Sequence, residues 1–171
     1  MFSFLRRKPK FTVRVKDYEQ DKLVAGMSVT TSKNRLQKDV SSLQKRFQNK
    51  RDKLEHLSNP SGTIVVYRQP DDKGYFSYFV GDLVDSCQQD ENFEVVTLPA
   101  GKYVHISVDF KVPSDLTLAV AKAKYFFFHK WLPDSGYQVI GDIESIELYD
   151  RRSNIRLPSM DLIFPVESIQ K

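Results

Sequence analysis

The order of structural patterns along this 171-residue chain occurs twice, and this repetition limits its fold more than any single motif does. Each half, about 11–85 and about 93–167, contains extended segments, one long helical pattern and then a pair of extended segments. The helical patterns begin near Lys33 and Asp115, about 80 residues apart. Two such strand-helix-strand-strand units predict an α+β fold, in which a mostly antiparallel sheet carries the two main helices on one face and leaves the other face as a saddle.

The helical pattern of the first half spans 33–57 and is strongly basic. Apolar residues recur at spacings of three, four and seven from Leu36 to Leu57, so they keep largely to one face, and Ser32 can cap the helix. The stretch holds eight Lys and Arg against three Asp and Glu. A basic stripe of this kind is most often the solvated side of an amphipathic helix, and it also suits an acidic partner.

Alternation in the second half sorts strand residues onto two faces. From Tyr103 to Phe110 the even-numbered residues are apolar and share one face, which places Tyr103 and His105 together on the other. A helical pattern follows from Ser114, a candidate cap, to Leu132. A lone His on a strand is most often structural, although His105 could transfer a proton or donate a hydrogen bond near an acid on the same face.

The stretch 131–150 contains the candidate acid. In a strand, Ile146 and Leu148 point to one side and are expected to pack against a helix, whereas Glu147 and Tyr149 point to the other. A carboxylate beside a phenol suits the floor of a pocket for a cationic or aromatic compound. The alternative is that Glu147 is an ordinary solvated side chain, as most Glu residues are.

Several short motifs, in this order and spacing, resemble the effector-binding domain of the gyrase-inhibitor-like superfamily of bacterial proteins. They are Leu98-Pro99-Ala100-Gly101-Lys102-Tyr103, Trp131-Leu132-Pro133, Ser135-Gly136-Tyr137, Glu147-x-Tyr149 and Asp161-Leu162-Ile163-Phe164-Pro165-Val166. The resemblance implies one such domain over 11–171 after a tail at 1–10, with a ligand groove on the sheet face opposite the helices. It also implies that Glu147 lies in that groove with aromatic residues stacked around it. About ten residues before the first strand are too few for a helix-turn-helix reader, so a stand-alone domain without direct sequence-specific DNA binding is expected.

The leading hypothesis is a sensor or sequestering protein for bulky, planar, cationic or amphipathic small molecules. Aromatic side chains would stack on the compound, and Glu147 would counter its positive charge. The ligand-binding candidates are Glu147, Tyr149, Tyr103, His105, Tyr67 and Trp131.

Two alternatives remain open. Some members of the superfamily are hydrolases that open strained rings, and there Glu147 would act as general acid or base with Tyr149 or His105 as the second polar group. In the other alternative, the basic helix 33–57 binds a protein partner and the groove is incidental.

Composition excludes some further classes. A single cysteine, Cys87, excludes an intramolecular disulfide framework and a cysteine-based zinc site, and His56 and His129 lack partners at metal-ligand spacing. No metal and no cofactor are therefore expected. There is no run of 18 or more apolar residues, so no transmembrane segment is predicted, and a cytoplasmic location is expected.

Overall fold

The computed structural model describes residues 11–170, in which two α-helices pack on a nine-stranded sheet. The predicted tail, 1–10, lies outside the described residues. The elements of the first half are β1 (Thr12–Tyr18), β2 (Lys22–Ser32), α1 (Leu36–Lys50), β3 (Thr63–Arg68) and β4 (Tyr75–Val84). Those of the second half are β5 (Glu94–Leu98), β6 (Gly101–Asp109), α2 (Pro113–Phe126), β7 (Tyr137–Val139), β8 (Ile143–Tyr149) and β9 (Ser159–Ser168).

The sheet is antiparallel, in the order β1-β6-β9-β8-β3-β4-β2-β5, and β7 adds to β9. The three strands β2, β4 and β3 with α1 correspond to the three strands β6, β9 and β8 with α2. The two units meet where β3 pairs with β8, which we call the central seam. The predicted α+β fold of duplicated units is therefore confirmed.

Two short connections force the sheet to curl. Only residues 19–21 link β1 to β2, and only residues 99–100 link β5 to β6. Each of these strand pairs is six positions apart in the sheet order, which would be about 29 Å in a flat sheet. The four Cα–Cα steps from Tyr18 to Lys22 span at most about 14 Å. The sheet therefore bends until its two ends approach each other.

Hydrophobic packing follows from this curl. The face without helices becomes an inner core, in which side chains from both halves meet, including Val24, Val66, Leu98, Ile146 and Ile163. The other face carries two clusters. In one, Leu43 and Phe47 of α1 pack on β2, β3 and β4. In the other, Ala123 of α2 and Phe127, which directly follows α2, pack on β6 and β9. Both sides of the sheet are thus buried, but only one side is covered by helices.

The basic helix is shorter than the predicted span 33–57. It begins at Leu36 and ends at Lys50, and one turn of 3₁₀ helix follows. The chain then becomes extended at Leu54, and His56 adopts a left-handed backbone with φ of 52°. Leu57 pairs with β4 instead of continuing the helical stripe. Ser32 is the last residue of β2, so it does not cap the helix.

Among residues 11–170, no helix has both the length and the apolar composition needed to cross a bilayer. Within the same range, no group of three or more His, Cys, Asp or Glu side chains is placed to hold a metal ion.

Candidate functional site

The central seam lies in the space between the two helices. Helix α1 packs against β2 and β4, and α2 packs against β6, so neither helix has β3 or β8 as its main support. Glu147 and Tyr149 of β8 point into this space, whereas Ile146 and Leu148 belong to the inner core. The alternation predicted for these four residues is confirmed. The predicted surroundings of the two faces are wrong. Ile146 and Leu148 pack inside the curled sheet and not against a helix. Glu147 and Tyr149 therefore lie on the helix-covered face, and the candidate groove lies there with them.

Glu147 is the buried acid of this groove, and only 7% of it is exposed. The Tyr149 hydroxyl donates to its Oε2 at 2.7 Å, the one hydrogen bond to this carboxylate found within residues 11–170. Burial raises the pKa of Glu147 above its ordinary value, and this effect exceeds the opposing effects of the Tyr149 hydrogen bond and the Lys124 charge. The contacts of the carboxylate therefore do not offset the full cost of burying its charge, and a positive charge placed beside it would be stabilised.

Three tyrosines form the aromatic wall around this carboxylate. Tyr67 and Tyr78 face each other across the β3–β4 pair with ring centroids 5.1 Å apart, edge to face, and Tyr149 completes the wall from β8. Burial raises the pKa of all three tyrosines, and the nearby negative charge of Glu147 raises it further. The phenols thus stay neutral, and their electron-rich ring faces can attract a cation.

Each helix extends one polar side chain towards the tyrosines. From α1, Gln44 Nε2 donates to the Tyr78 hydroxyl at 3.4 Å. From α2, Lys124 Nζ lies 5.0 Å from the centroid of the Tyr67 ring and 3.0 Å from Glu144 Oε1. A side chain from each helix therefore reaches the tyrosine wall of the groove.

A register shift in the central seam determines where Glu144 points. Tyr67 is opposite Ser145, but the next residue of β3, Arg68, is opposite Ile143, so Glu144 is the extra residue of a bulge. A regular strand would turn Glu144 to the same side as Ile146, away from the helices. The bulge redirects its carboxylate to α2, where it binds Lys124.

Ser145 adds an unsatisfied polar atom to this region. Its side chain lies on the same strand face as Glu147 and is fully buried. Its Oγ has no hydrogen-bond partner among the described residues. Buried hydroxyls are nearly always paired, so this unpaired Oγ is an exception beside Glu147.

A cavity of about 520 Å³ opens at one end of the groove. Tyr149 belongs both to the wall of this cavity and to the contact with Glu147. Its other lining residues include Arg51, Thr63, Phe110, Pro113 and Leu116. Tyr149 is thus the side chain between the open space and the buried acid.

The structure brings together only some of the predicted site residues. Glu147, Tyr149 and Tyr67 meet in the groove. Tyr103 lies in the inner core on the opposite face of the sheet, where its ring stacks on Tyr18 at 4.2 Å, because it alternates with residues that face α2. Trp131 is stacked between two neighbouring aromatic rings at the end of α2, which is a packing role.

The predicted proximity of His105 to Glu147 is wrong, because the two point to opposite faces of the sheet. His105 is 2% exposed, and its Nδ1 lies 3.1 Å from Asp161 Oδ2 while its Nε2 lies 2.9 Å from the Tyr18 hydroxyl. Burial lowers the pKa of His105, with Lys16 and Arg14 adding to the effect against Asp161. A neutral ring therefore donates through Nδ1 to Asp161 and accepts from Tyr18, which ties three strands together.

Sequence reasoning missed three residues of this region: Tyr78, Lys124 and Gln44. Two of them carried a readable signal. Tyr78 follows a hairpin turn and can lie opposite Tyr67, and Lys124 follows Val120 by four residues, which puts a charge beside the inward apolar stripe of α2. The bulge that aligns Glu144 with Lys124 has no such signal.

Comparison with known proteins is consistent with this architecture. Residues 17–166 match the family model Cass2, described as an integron-associated effector binding protein. A comparison with the curated proteins finds no significant match.

Solved structures share the fold at low identity. A putative bacterial transcription regulation protein from Staphylococcus aureus MU50 is 16% identical, with a TM-score of 0.66 over 93% of this chain and 99% of its own. The protein SAV2435, solved bound to tetraphenylphosphonium, is 17% identical, with a TM-score of 0.68 over 92% of this chain and 94% of its own. An integron cassette protein from the mobile metagenome of Vibrio cholerae is 14% identical, with a TM-score of 0.58 over 91% and 95%.

Proposed function

Since this chain belongs to the Cass2 family of integron-associated effector binding proteins, we propose that it binds a bulky, planar, cationic or amphipathic compound in the groove between its helices. In this proposal it acts as a sensor or a sequestering protein, and Glu147 is the counter-charge for the ligand. The observation that carries the proposal is the buried Glu147 carboxylate, held by one tyrosine hydroxyl among aromatic rings.

The electrostatic gain from a cationic ligand is large enough to matter. A positive charge about 6 Å from the carboxylate, at an effective dielectric constant of about 20, is attracted by about 2.8 kcal/mol. A neutral ligand of the same shape gains none of this and leaves the buried carboxylate under-compensated. The site should therefore distinguish charge in addition to shape.

The aromatic wall accounts for the expected preference for bulk and planarity. Tyr67, Tyr78 and Tyr149 offer ring faces and edges, and such contacts gain most from wide apolar cations with diffuse charge. The likeness to SAV2435, which was solved with the lipophilic cation tetraphenylphosphonium, supports bulk and positive charge in the ligand.

The test is a fluorescence-binding screen against planar cationic dyes and matched neutral dyes, repeated with Glu147→Gln. We expect selective binding of the cations and a loss of at least tenfold in the variant, about 1.4 kcal/mol. Glu94→Gln is the matched control, because Glu94 is exposed on β5, and it should bind as the parent does. Cation binding that is equally tight in Glu147→Gln would refute the assigned role of this carboxylate.

A hydrolase remains the second candidate, because the raised pKa of Glu147 and the adjacent Tyr149 hydroxyl would also suit a general acid. Chemistry would require a positioned water in addition to the pocket. Incubation with strained-ring electrophiles should then give turnover that Glu147→Gln abolishes. Turnover that survives the substitution would exclude this mechanism.

The alternative of a protein partner should be tested on only part of the basic stretch 33–57. Lys45 and Arg46 are exposed on α1, but Arg51 is bonded to Asp82 and Thr63. Charge reversal should therefore be limited to Lys45 and Arg46. If the helix binds an acidic partner, this double variant loses the partner and keeps dye binding.

A further inference from the structure

The groove already contains a cation that belongs to the protein. The Lys124 ammonium lies 5.0 Å from the centre of the Tyr67 ring, and its side chain is only 24% exposed. Its positive charge is close enough to Glu147 to favour the ionised carboxylate. Lys124 therefore occupies the kind of position, over an aromatic face and near an acid, that a ligand cation would use.

Glu144 holds Lys124 in this position. Its Oε1 lies 3.0 Å from Lys124 Nζ, and the bulge in the central seam turns it towards α2. A regular strand would point Glu144 to the inner core, so the ion pair with Lys124 depends on the bulge. That arrangement keeps the ammonium over Tyr67 while leaving Glu147 without a direct contact from it among the described residues.

We propose that Lys124 is a tethered internal cation that a ligand must displace, and that it thereby determines which cations the groove accepts. The inference rests on the proposed function of the groove. A small ammonium ion brings a charge but little apolar area, so it offers the tyrosines and Glu147 little more than Lys124 already does. A lipophilic cation brings a weakly hydrated charge and a large apolar area, so it can displace the ammonium.

The test compares Lys124→Met, which keeps the apolar stem, with Lys124→Arg, which keeps a cation. Isothermal titration of the full chain would use tetraphenylphosphonium, tetramethylammonium and neutral triphenylphosphine oxide. We expect Lys124→Met to bind tetraphenylphosphonium about fivefold more tightly and to gain measurable tetramethylammonium binding. The neutral compound must displace the ammonium as well, so its affinity should also rise, but by less than that of tetraphenylphosphonium, because it gains no attraction from Glu147. Lys124→Arg should bind both cations no more tightly than the parent.

A second measurement observes the displacement directly. After reductive ¹³C-methylation of the lysines, the Lys124 signal, identified by its absence in Lys124→Arg, should be shifted upfield by the Tyr67 ring. Saturation with tetraphenylphosphonium should remove that shift. A shift that persists in the complex would overturn the displacement mechanism.

The outcomes separate this inference from the function on which it rests. If the parent binds tetraphenylphosphonium in a manner dependent on Glu147 but Lys124→Met binds no more tightly, the inference fails and the function stands. If only Lys124→Met binds, the internal cation is supported and the parent is not a receptor for this ligand class. If neither protein binds any of the cations, both are refuted.

Discussion

Glu147→Gln should make the protein more stable at pH 8 while weakening cation binding. The folded protein raises the pKa of Glu147 above its ordinary value, so the folded state holds this proton more tightly than the unfolded chain does. The stability associated with the group is then complete below the unfolded pKa, about 4.3, and is lost as the pH rises through the folded value. Gln cannot ionise, so it avoids that loss.

The expected gain is the difference between two opposing effects. Removing a buried charge recovers its desolvation cost, about 2 kcal/mol for a group with partial compensation. Gln still accepts from the Tyr149 hydroxyl, but the bond is no longer charge-assisted, which costs about 1 kcal/mol. The net gain is therefore about 1 kcal/mol, or about 2–4 °C in Tm for a chain of this size.

Urea denaturation of parent and variant at pH 8 and pH 4, without ligand, measures this difference. We expect the gain at pH 8 and almost none at pH 4. Glu144→Gln is the matched control, because Glu144 is one-third exposed and paired with Lys124, and it should not stabilise. A less stable Glu147→Gln protein at pH 8, or an equal difference at both pH values, would contradict the reasoning.

Three further predictions concern individual side chains. Tyr149→Phe removes the hydrogen bond that favours ionised Glu147, so the pH at which dye binding is half-maximal should rise, as measured by titrating affinity from pH 5 to 9. Asp161→Asn should lower the free energy of unfolding by about 3 kcal/mol in urea, against less than about 1 for the exposed control Asp142→Asn. Burial alone would raise the pKa of Asp161, but hydrogen bonds from His105 and Arg152 lower it, so the Asp161→Asn deficit should shrink as the pH falls through the folded pKa. Phe127→Ala, at a fully buried ring under α2, should cost about 3–5 kcal/mol in the same assay.

How far the sequence predicted this molecule depends on how local each feature is. The repeated pattern predicted the fold because helix and strand periodicity are properties of neighbouring residues. Alternation likewise separated Glu147 and Tyr149 from Ile146 and Leu148. It could not tell which side the helices cover, because both sides of β8 are buried and the inner core depends on strands that pair from opposite ends of the chain.

The remaining differences also have non-local causes. The predicted helix was too long because Leu54 and Leu57 continue the helical spacing by coincidence, whereas Leu57 in fact pairs with β4. His105 appeared to be a site candidate because a lone polar residue among apolar ones carries no sign of its partner. That partner, Asp161, is 56 residues away.

The crossing connections of the edge strands have a consequence for the groove. The first strand of each half pairs with a strand of the other half. The chain therefore has the topology of a strand-swapped dimer fused into one polypeptide. Val66 and Ile146 pair at the central seam and both belong to the inner core, so Tyr67 and Glu147, one residue further along each strand, lie on the other side of the sheet. A true homodimer would carry the same set of side chains on both of its central strands. In a single chain the two strands can differ, and here β3 supplies an aromatic face where β8 supplies a negative charge.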